Sequence, residues 1–248
     1  MSERSSDGSS DGVSDGFRIT RVADVAARFV DHDWAFPRAH AAAIAAHWQA
    51  RLRRSPGMFD GTVLLCCDHA VADGVARLDL FATRYATFTY YRDGPRAEAR
   101  IANAFAAIVP WTADGAVLLG EMGAHTANAG QLYFPCGTPD PDDVRGAGVD
   151  LTGSAARELA EETGLALPDG AETDWVLLEG EGQLAFLRPV RFPEPAARLV
   201  ARIADHLRAE AEPELAGMHV VRGREDIDAA RMPGFVRAYL ADAFPPTR

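Results

Sequence analysis

Residues 154–165 read SAARELAEETGL, and the span Thr152–Thr163 has strong helical character and closes on Gly164, the residue type expected at a helix C′ position. On a helix, Glu158, Glu161 and Glu162 stand at i, i+3 and i+4 and share one face. Glu158 and Glu162 are a like-charge i,i+4 pair, which weakens an isolated helix by ~0.2–0.5 kcal/mol. They also occupy the last turns, where the helix dipole favours cations. A surface that breaks both rules calls for added positive charge. Arg157, four residues before Glu161, can neutralise one carboxylate only. Oxygen donors of this kind suit a hard cation, Mg²⁺ first and Mn²⁺ next, held openly so that substrate phosphates can share it. For an arbitrary E-x-x-E-E, a solvated face is the ordinary outcome, so the flanks matter.

Outward from this helix, strands and helices interleave. Phe105–Val109 and Ala116–Gly120 bracket a turn at Thr112–Gly115 and read as a hairpin. Gln131–Phe134, Trp175–Glu179, Leu184–Val190 and Met218–Val221 read as strands. Ala196–Ala211 carries Leu199, Val200, Ile203 and Leu207 at helical spacing, and Pro233–Phe244 reads as a terminal helix. In the first half, Phe17–Val22, Gly61–Asp68 and Val75–Phe81 read as strands and Ala39–Arg54 as a helix stopped by Pro56-Gly57. Thr83–Tyr91 fits either state. The interleaving predicts an α/β chain: a smaller N-terminal α+β module over residues 17–100 and a layered α/β/α domain over 101–244, a mixed β-sheet between helices. Residues 1–16, a Ser/Asp/Gly tract with a repeated S-D-G unit, have almost no apolar surface and read as a disordered tail.

The composition excludes several classes of function. All 25 basic residues are arginines against 36 acidic residues, a net charge of -11, so Schiff-base and P-loop lysine chemistry is absent and bulk attraction to nucleic acid is disfavoured. No apolar run approaches the ~18 residues of a bilayer span, and the start lacks the apolar core of a secretion signal. Cys66, Cys67 and Cys136 have neither disulfide-framework nor zinc spacing. A cytoplasmic enzyme or binding protein is expected. No membrane and no nucleic-acid partner is expected, and the choice of monomer or homodimer is open. The seven histidines lie singly, without ligand spacing.

Arg-Glu-Leu-Ala-Glu-Glu-Thr-Gly-Leu at 157–165 matches every fixed position of R-E-U-x-E-E-x-G-U, where U is bulky aliphatic, and so resembles the second half of the Nudix box. Phe134-Pro135-Cys136-Gly137 is similar to the strand-end P-G-G element of that family, with Cys136 in place of the first glycine. The first half of the box departs from the pattern: its glycine and first glutamate positions hold Asp143 and Val149. Aligning Gly137 as the family glycine implies an insertion of six residues, puts Asp143 in the place of the first glutamate, and predicts an exposed, mobile, deletable loop over Val144–Asp150. The resemblance implies a Nudix fold. It also implies Mg²⁺-dependent (or Mn²⁺-dependent) hydrolysis of a phosphoanhydride in a small nucleoside diphosphate derivative.

By the same resemblance, Glu158 and Glu162 would be the principal metal ligands and Glu161 an additional one, with Arg157 holding the carboxylates. A late-loop acid often assists in the family; of Glu210, Glu212 and Glu214, the last, just before the strand at Met218, is the choice. Residues 48–61 and 83–88, with Trp48, Arg51, Leu52, Phe59 and Asp60 in register, are more weakly similar to the upstream region of Nudix proteins related to the animal UDP-glucose/UDP-galactose pyrophosphatase. That points to a nucleotide sugar. Read from the residues alone, Trp48, Leu52, Phe59 and Tyr85 are core residues of the N-terminal module. A catalytically quiet nucleotide-binding or regulatory protein of the same fold is the alternative, kept open by the altered first half of the box.

Overall fold

The computed structural model describes residues 12–94, 100–171 and 174–246. The chain opens with β1 (Gly12–Ser14), β2 (Phe17–Val22) and β3 (Asp24–Phe29), then α1 (Phe36–Ala39) and α2 (Ala41–Arg54). Two long strands follow, β4 (Thr62–Ala72) and β5 (Val75–Arg84), and then α3 (Tyr85–Asp93), which resolves the ambiguous segment as a helix. Next come β6 (Asn103–Trp111), β7 (Val117–Met122) and four two-residue strands, β8 (Leu132–Tyr133), β9 (Cys136–Gly137), β10 (Val144–Arg145) and β11 (Gly148–Val149). The remainder is α4 (Leu151–Thr163), β12 (Trp175–Gly180), β13 (Gln183–Arg191), α5 (Ala196–Ala209), β14 (Leu215–Val221) and α6 (Gly234–Ala243).

The larger sheet runs β1-β2-β12-β13-β6-β7-β14, with β8 on β7 and β9 on β6; β13 and β6 are parallel and the other pairs antiparallel. β6 is buried on both faces, which is why NAFAAIVPW is a continuous small-and-apolar run rather than an alternation. Its Ala104, Ala106 and Ile108 pack with Leu159 of α4 and Leu199 and Ile203 of α5. Its Phe105, Ala107 and Val109 pack with Phe235, Val236 and Tyr239 of α6. The expected mixed sheet between helices is therefore present. A smaller sheet, β10-β11-β3-β5-β4, lies on the α4 face, where Leu64, Leu78 and Leu80 join the same core.

Strands cross the expected boundary at residue 100 in both directions. β2 pairs with β12 in the larger sheet, while β11, from the C-terminal half, pairs with β3 in the smaller one. Two expectations are corrected. Residues 12–16 of the supposed tail form a hairpin: Asp15 and Gly16 both have positive φ, the geometry of a two-residue turn, and Asp15 accepts a hydrogen bond from Arg237 Nε at 2.5 Å. The last S-D-G unit was a turn signal directly before an apolar strand. Residues 1–11 lie outside the described residues. The segment at 144–150 is not a free loop either, because Val144 and Val149 pack into the core and β11 completes the edge beside β3. Removing six residues there would strip β3 of one of its two partners and take Val144 and Val149 out of the core, so the deletion should unfold the protein.

The two sheets are also joined by His69 on β4 and Glu179 on β12, Nε2 to Oε1 at 2.8 Å. The bond to Glu179 holds His69 above its ordinary 6.5, and the same bond holds Glu179 below its ordinary 4.5. Glu179's contribution is complete above 4.5 and lost as pH falls through its lowered value; His69's is complete below 6.5 and lost as pH rises through its raised value. Both side chains are about one-quarter to one-third exposed, so the pair contributes about 1 kcal/mol or less. In urea unfolding, His69→Gln should therefore be destabilised at pH 5.5 and nearly neutral at pH 9.

Candidate active site

α4 begins at Asp150, whose side chain accepts from the Gly153 N–H at 2.8 Å, and ends at Gly164, which has φ of 67°. Leu159 and Leu165 are buried against the sheet, so the acidic face turns towards β9. Glu162 is buried and Glu158 nearly so, with 18% of its side chain exposed, whereas Glu161 is 62% exposed at the rim. β9 approaches closely: a Cβ on Gly137 would sit 2.6 Å from Glu158 Oε1. The Cys136 N–H donates to Glu162 Oε1 at 3.4 Å.

Arg157 fans across the array. Its Nη1 donates to Glu158 Oε1 at 3.0 Å and lies 3.5 Å from Glu161, while Nη2 donates to Asp143 Oδ1 at 3.0 Å. Asp143 is buried and also accepts from Ser154 Oγ and the Asp140 N–H. Asp143 thus holds the arginine and does not line the cleft. Asp143→Ala should cost about 2–3 kcal/mol in chemical unfolding. That is less than the full cost of breaking a buried pair, because Arg157 is over one-third exposed.

Of the three late acids, Glu210 pairs with His206 at 3.1 Å, Glu212 is exposed, and Glu214 lines the same cleft as Glu162. Burial pushes Glu158 up to about 7, with the charges of Glu161, Glu214 and Asp143 adding to it and Arg157 opposing. Burial, then Glu214 and Glu158, push Glu162 up to about 9. The Cys136 thiol is raised by its burial and by Glu162, Glu158 and Glu214. Glu158, Glu162 and Glu214 thus act on one another electrostatically, and Glu161 acts on both helix carboxylates from the exposed rim. Among the described residues, no three acidic, histidine or cysteine side chains are gathered tightly enough to grip an ion as they stand. The donor chemistry still fits a hard divalent cation: only oxygen donors, one buried and one nearly so, and a surplus of negative charge that Arg157 cannot balance alone.

The cleft has a volume of about 190 Å³ and is open beyond the acidic helix. It is also lined by Tyr85, Phe88 and Arg92 of α3, Tyr133 of β8, and Gln183 of β13. Sequence reasoning missed Arg92 and Gln183, which carry no motif and reach the cleft only through tertiary packing. Asp60 explains how α3 is set: its carboxylate accepts from the Ala86 N–H at 2.8 Å and from Arg84, capping the helix from a distant turn. Trp48 and Tyr85 pack in the N-terminal aromatic core as expected, but Phe59 does not, being 82% exposed. Among the described residues, no helix is long and apolar enough to cross a membrane, and the three cysteines are free thiols.

No protein-family profile and no curated protein matches this sequence. Among solved structures, several match over part of the chain at low identity. The chain is similar to Nudix hydrolases. A MutT protein from Methanosarcina mazei Go1 matches with a TM-score of 0.37 and 17% identity, over 56% of this chain and 91% of that one. The Nudix hydrolase RenU from M. smegmatis matches with a TM-score of 0.34 and 18% identity, over 58% and 88%. A Nudix hydrolase from Nitrosomonas europaea matches with a TM-score of 0.29 and 17% identity, over 48% and 72%.

Proposed function

We propose that this protein is a Nudix hydrolase that cleaves the phosphoanhydride of a small nucleoside diphosphate derivative, such as a nucleotide sugar, with Mg²⁺ or Mn²⁺. The observation that carries the reading is the burial of Glu158 and Glu162 side by side on α4, within the electrostatic reach of Glu214, in the sequence pattern of the Nudix box. Glu158 and Glu162 would hold the ion, with Glu161 as an outer ligand. When bound, the ion supplies charge neutralisation of the diphosphate and a lowered pKa for water. Arg157, tethered to Asp143, would hold Glu158 in place beside β9. The Cys136 N–H does the same for Glu162, and Glu214 is placed to accept a proton at the cleft wall. Phosphoryl chemistry asks mainly for such positioning and charge compensation. A cytoplasmic setting, with small molecules as partners, goes with this reading.

Metal linkage tests it. Millimolar Mg²⁺ or Mn²⁺ should raise the melting temperature, by about 2.7 kcal/mol of stability at a hundredfold excess over Kd. Glu158 and Glu162 are raised above their ordinary 4.5, so the metal-free fold loses stability as pH climbs from 4.5 through about 7 and about 9. The ion competes with those protons, and its stabilisation should therefore be larger at pH 8 than at pH 6. Glu162→Gln should abolish the rise while leaving the metal-free protein at least as stable. An unshifted wild-type melting curve at both pH values would sink the metal site.

A further inference from the structure

The acidic helix accounts for one wall of the cleft; the α3 wall carries charge of the opposite sign. Among the described residues lining the cleft, Arg92 is the one cation, facing a side that holds Glu162 and Glu214. Its guanidinium lies over the Phe88 ring, 5.6 Å from the centroid, and its Nε donates to Asp93 Oδ1 at 2.9 Å. Asp93 is itself held from α2, accepting from Arg51 Nη1 at 2.8 Å and lying 3.0 Å from His47 Nε2. Three cationic or protonatable groups thus share one carboxylate, and Arg92 is fixed through its inner nitrogen. Its two terminal nitrogens have no partner among the described residues, and its side chain is 32% exposed. An arginine ordered in this way has already lost the rotamer freedom that binding would otherwise cost. In the same cleft, Gln183 Oε1 is buried and accepts no hydrogen bond from the described residues, so the wall is polar and incomplete without a ligand.

We propose that Arg92, laid on Phe88 and anchored through Asp93, is the substrate-anion arm of the cleft: it takes the phosphate of a nucleoside diphosphate that lies away from the acidic helix. The proposal rests on the diphosphatase reading above and deepens it, making the N-terminal half a specificity element. The charge logic requires such an arm. A diphosphate entering the cleft beside Glu162 and Glu214 meets repulsion that one divalent ion offsets on the side of α4 only. The planar fork of Arg92 offers two parallel N–H donors to the remaining phosphate oxygens, which a lysine could not match. Tyr85 and Phe88 give that end of the cleft flat apolar surface for the attached ring.

Calorimetric titration of the full chain with UDP at saturating Mg²⁺, alongside Mn²⁺ titration without nucleotide, tests the proposal. Arg92→Gln should weaken UDP binding tenfold or more and Arg92→Lys by a smaller factor, both with wild-type Mn²⁺ affinity. In turnover of a UDP-sugar, the same variants should raise KM by a similar factor with kcat within threefold. Should Arg92→Gln melt early, Arg92→Met, which keeps an apolar stem on Phe88, serves the same comparison. Wild-type UDP affinity in a folded Arg92 variant overturns the arm alone. A wild-type protein that binds Mn²⁺ but no UDP overturns both the arm and the diphosphatase reading, and no Mn²⁺ binding at all removes the metal site on which that reading depends.

Discussion

Glu158→Gln is expected to lower turnover by about three orders of magnitude at any Mg²⁺ concentration, the several kcal/mol that metal-assisted charge stabilisation supplies at about 1.4 kcal/mol per tenfold. Substrate affinity should change little, the pattern of an interaction made mainly in the transition state. The neighbouring Arg157→Lys should behave differently. Arg157 spans from Asp143 to Glu158 and Glu161 through separate nitrogens, which a single ammonium cannot reproduce. Its loss loosens the ligands without removing any, so excess Mg²⁺ should partly restore activity. Steady-state kinetics across a Mg²⁺ series separate the two; equal rescue of both variants would place Glu158 no nearer the ion than Arg157.

The second large effect is expected at a residue with no side chain. Gly137→Ala would put its Cβ within 2.6 Å of Glu158 Oε1 and 2.7 Å of the carboxyl carbon. The atoms that must yield are the end of a flexible side chain, so the fold should tolerate the methyl with a small change in melting temperature. The site should not, because Glu158 would be swung off its place beside Arg157 Nη1. Displacement of this kind by about 1 Å is enough to cost about a hundredfold, so kcat should fall at least that far while the protein melts near the wild-type temperature. A variant with wild-type kcat would mean that β9 and Glu158 can separate at no cost, against the close approach described here.

The helix from Leu151 to Thr163 was readable because its signals agree: apolar Leu159 and Leu165 on one side, carboxylates on the other, and glycine at the C′ position. Glu214 was legible only by its place before a strand, and the fold brings it to the cleft. The segment over 144–150 misled because its two glycines and lack of bulky residues resemble a loop, while its role, pairing with β3 from the far end of the chain, leaves no local trace. The same holds for β3 itself, DVAARF, whose alternation is weak and whose partners are β5 and β11. Arg92 was invisible for a related reason. An arginine beside an aspartate at a helix end reads as a surface pair until tertiary packing lays it on Phe88 at the cleft wall.

The central claim is that the paired glutamates of α4 and Glu214 form a working diphosphatase site rather than a retired one. Product analysis on UDP-sugars, dinucleotides and nucleoside triphosphates, each with Mg²⁺ and with chelator, addresses it most directly. The expected result is release of a mononucleotide and the phosphorylated partner from at least one nucleoside diphosphate derivative, only with metal, and reduced at least a hundredfold by Glu162→Gln. Binding of nucleotides without metal-dependent cleavage of any of them would contradict it and leave a nucleotide-binding protein of the same fold.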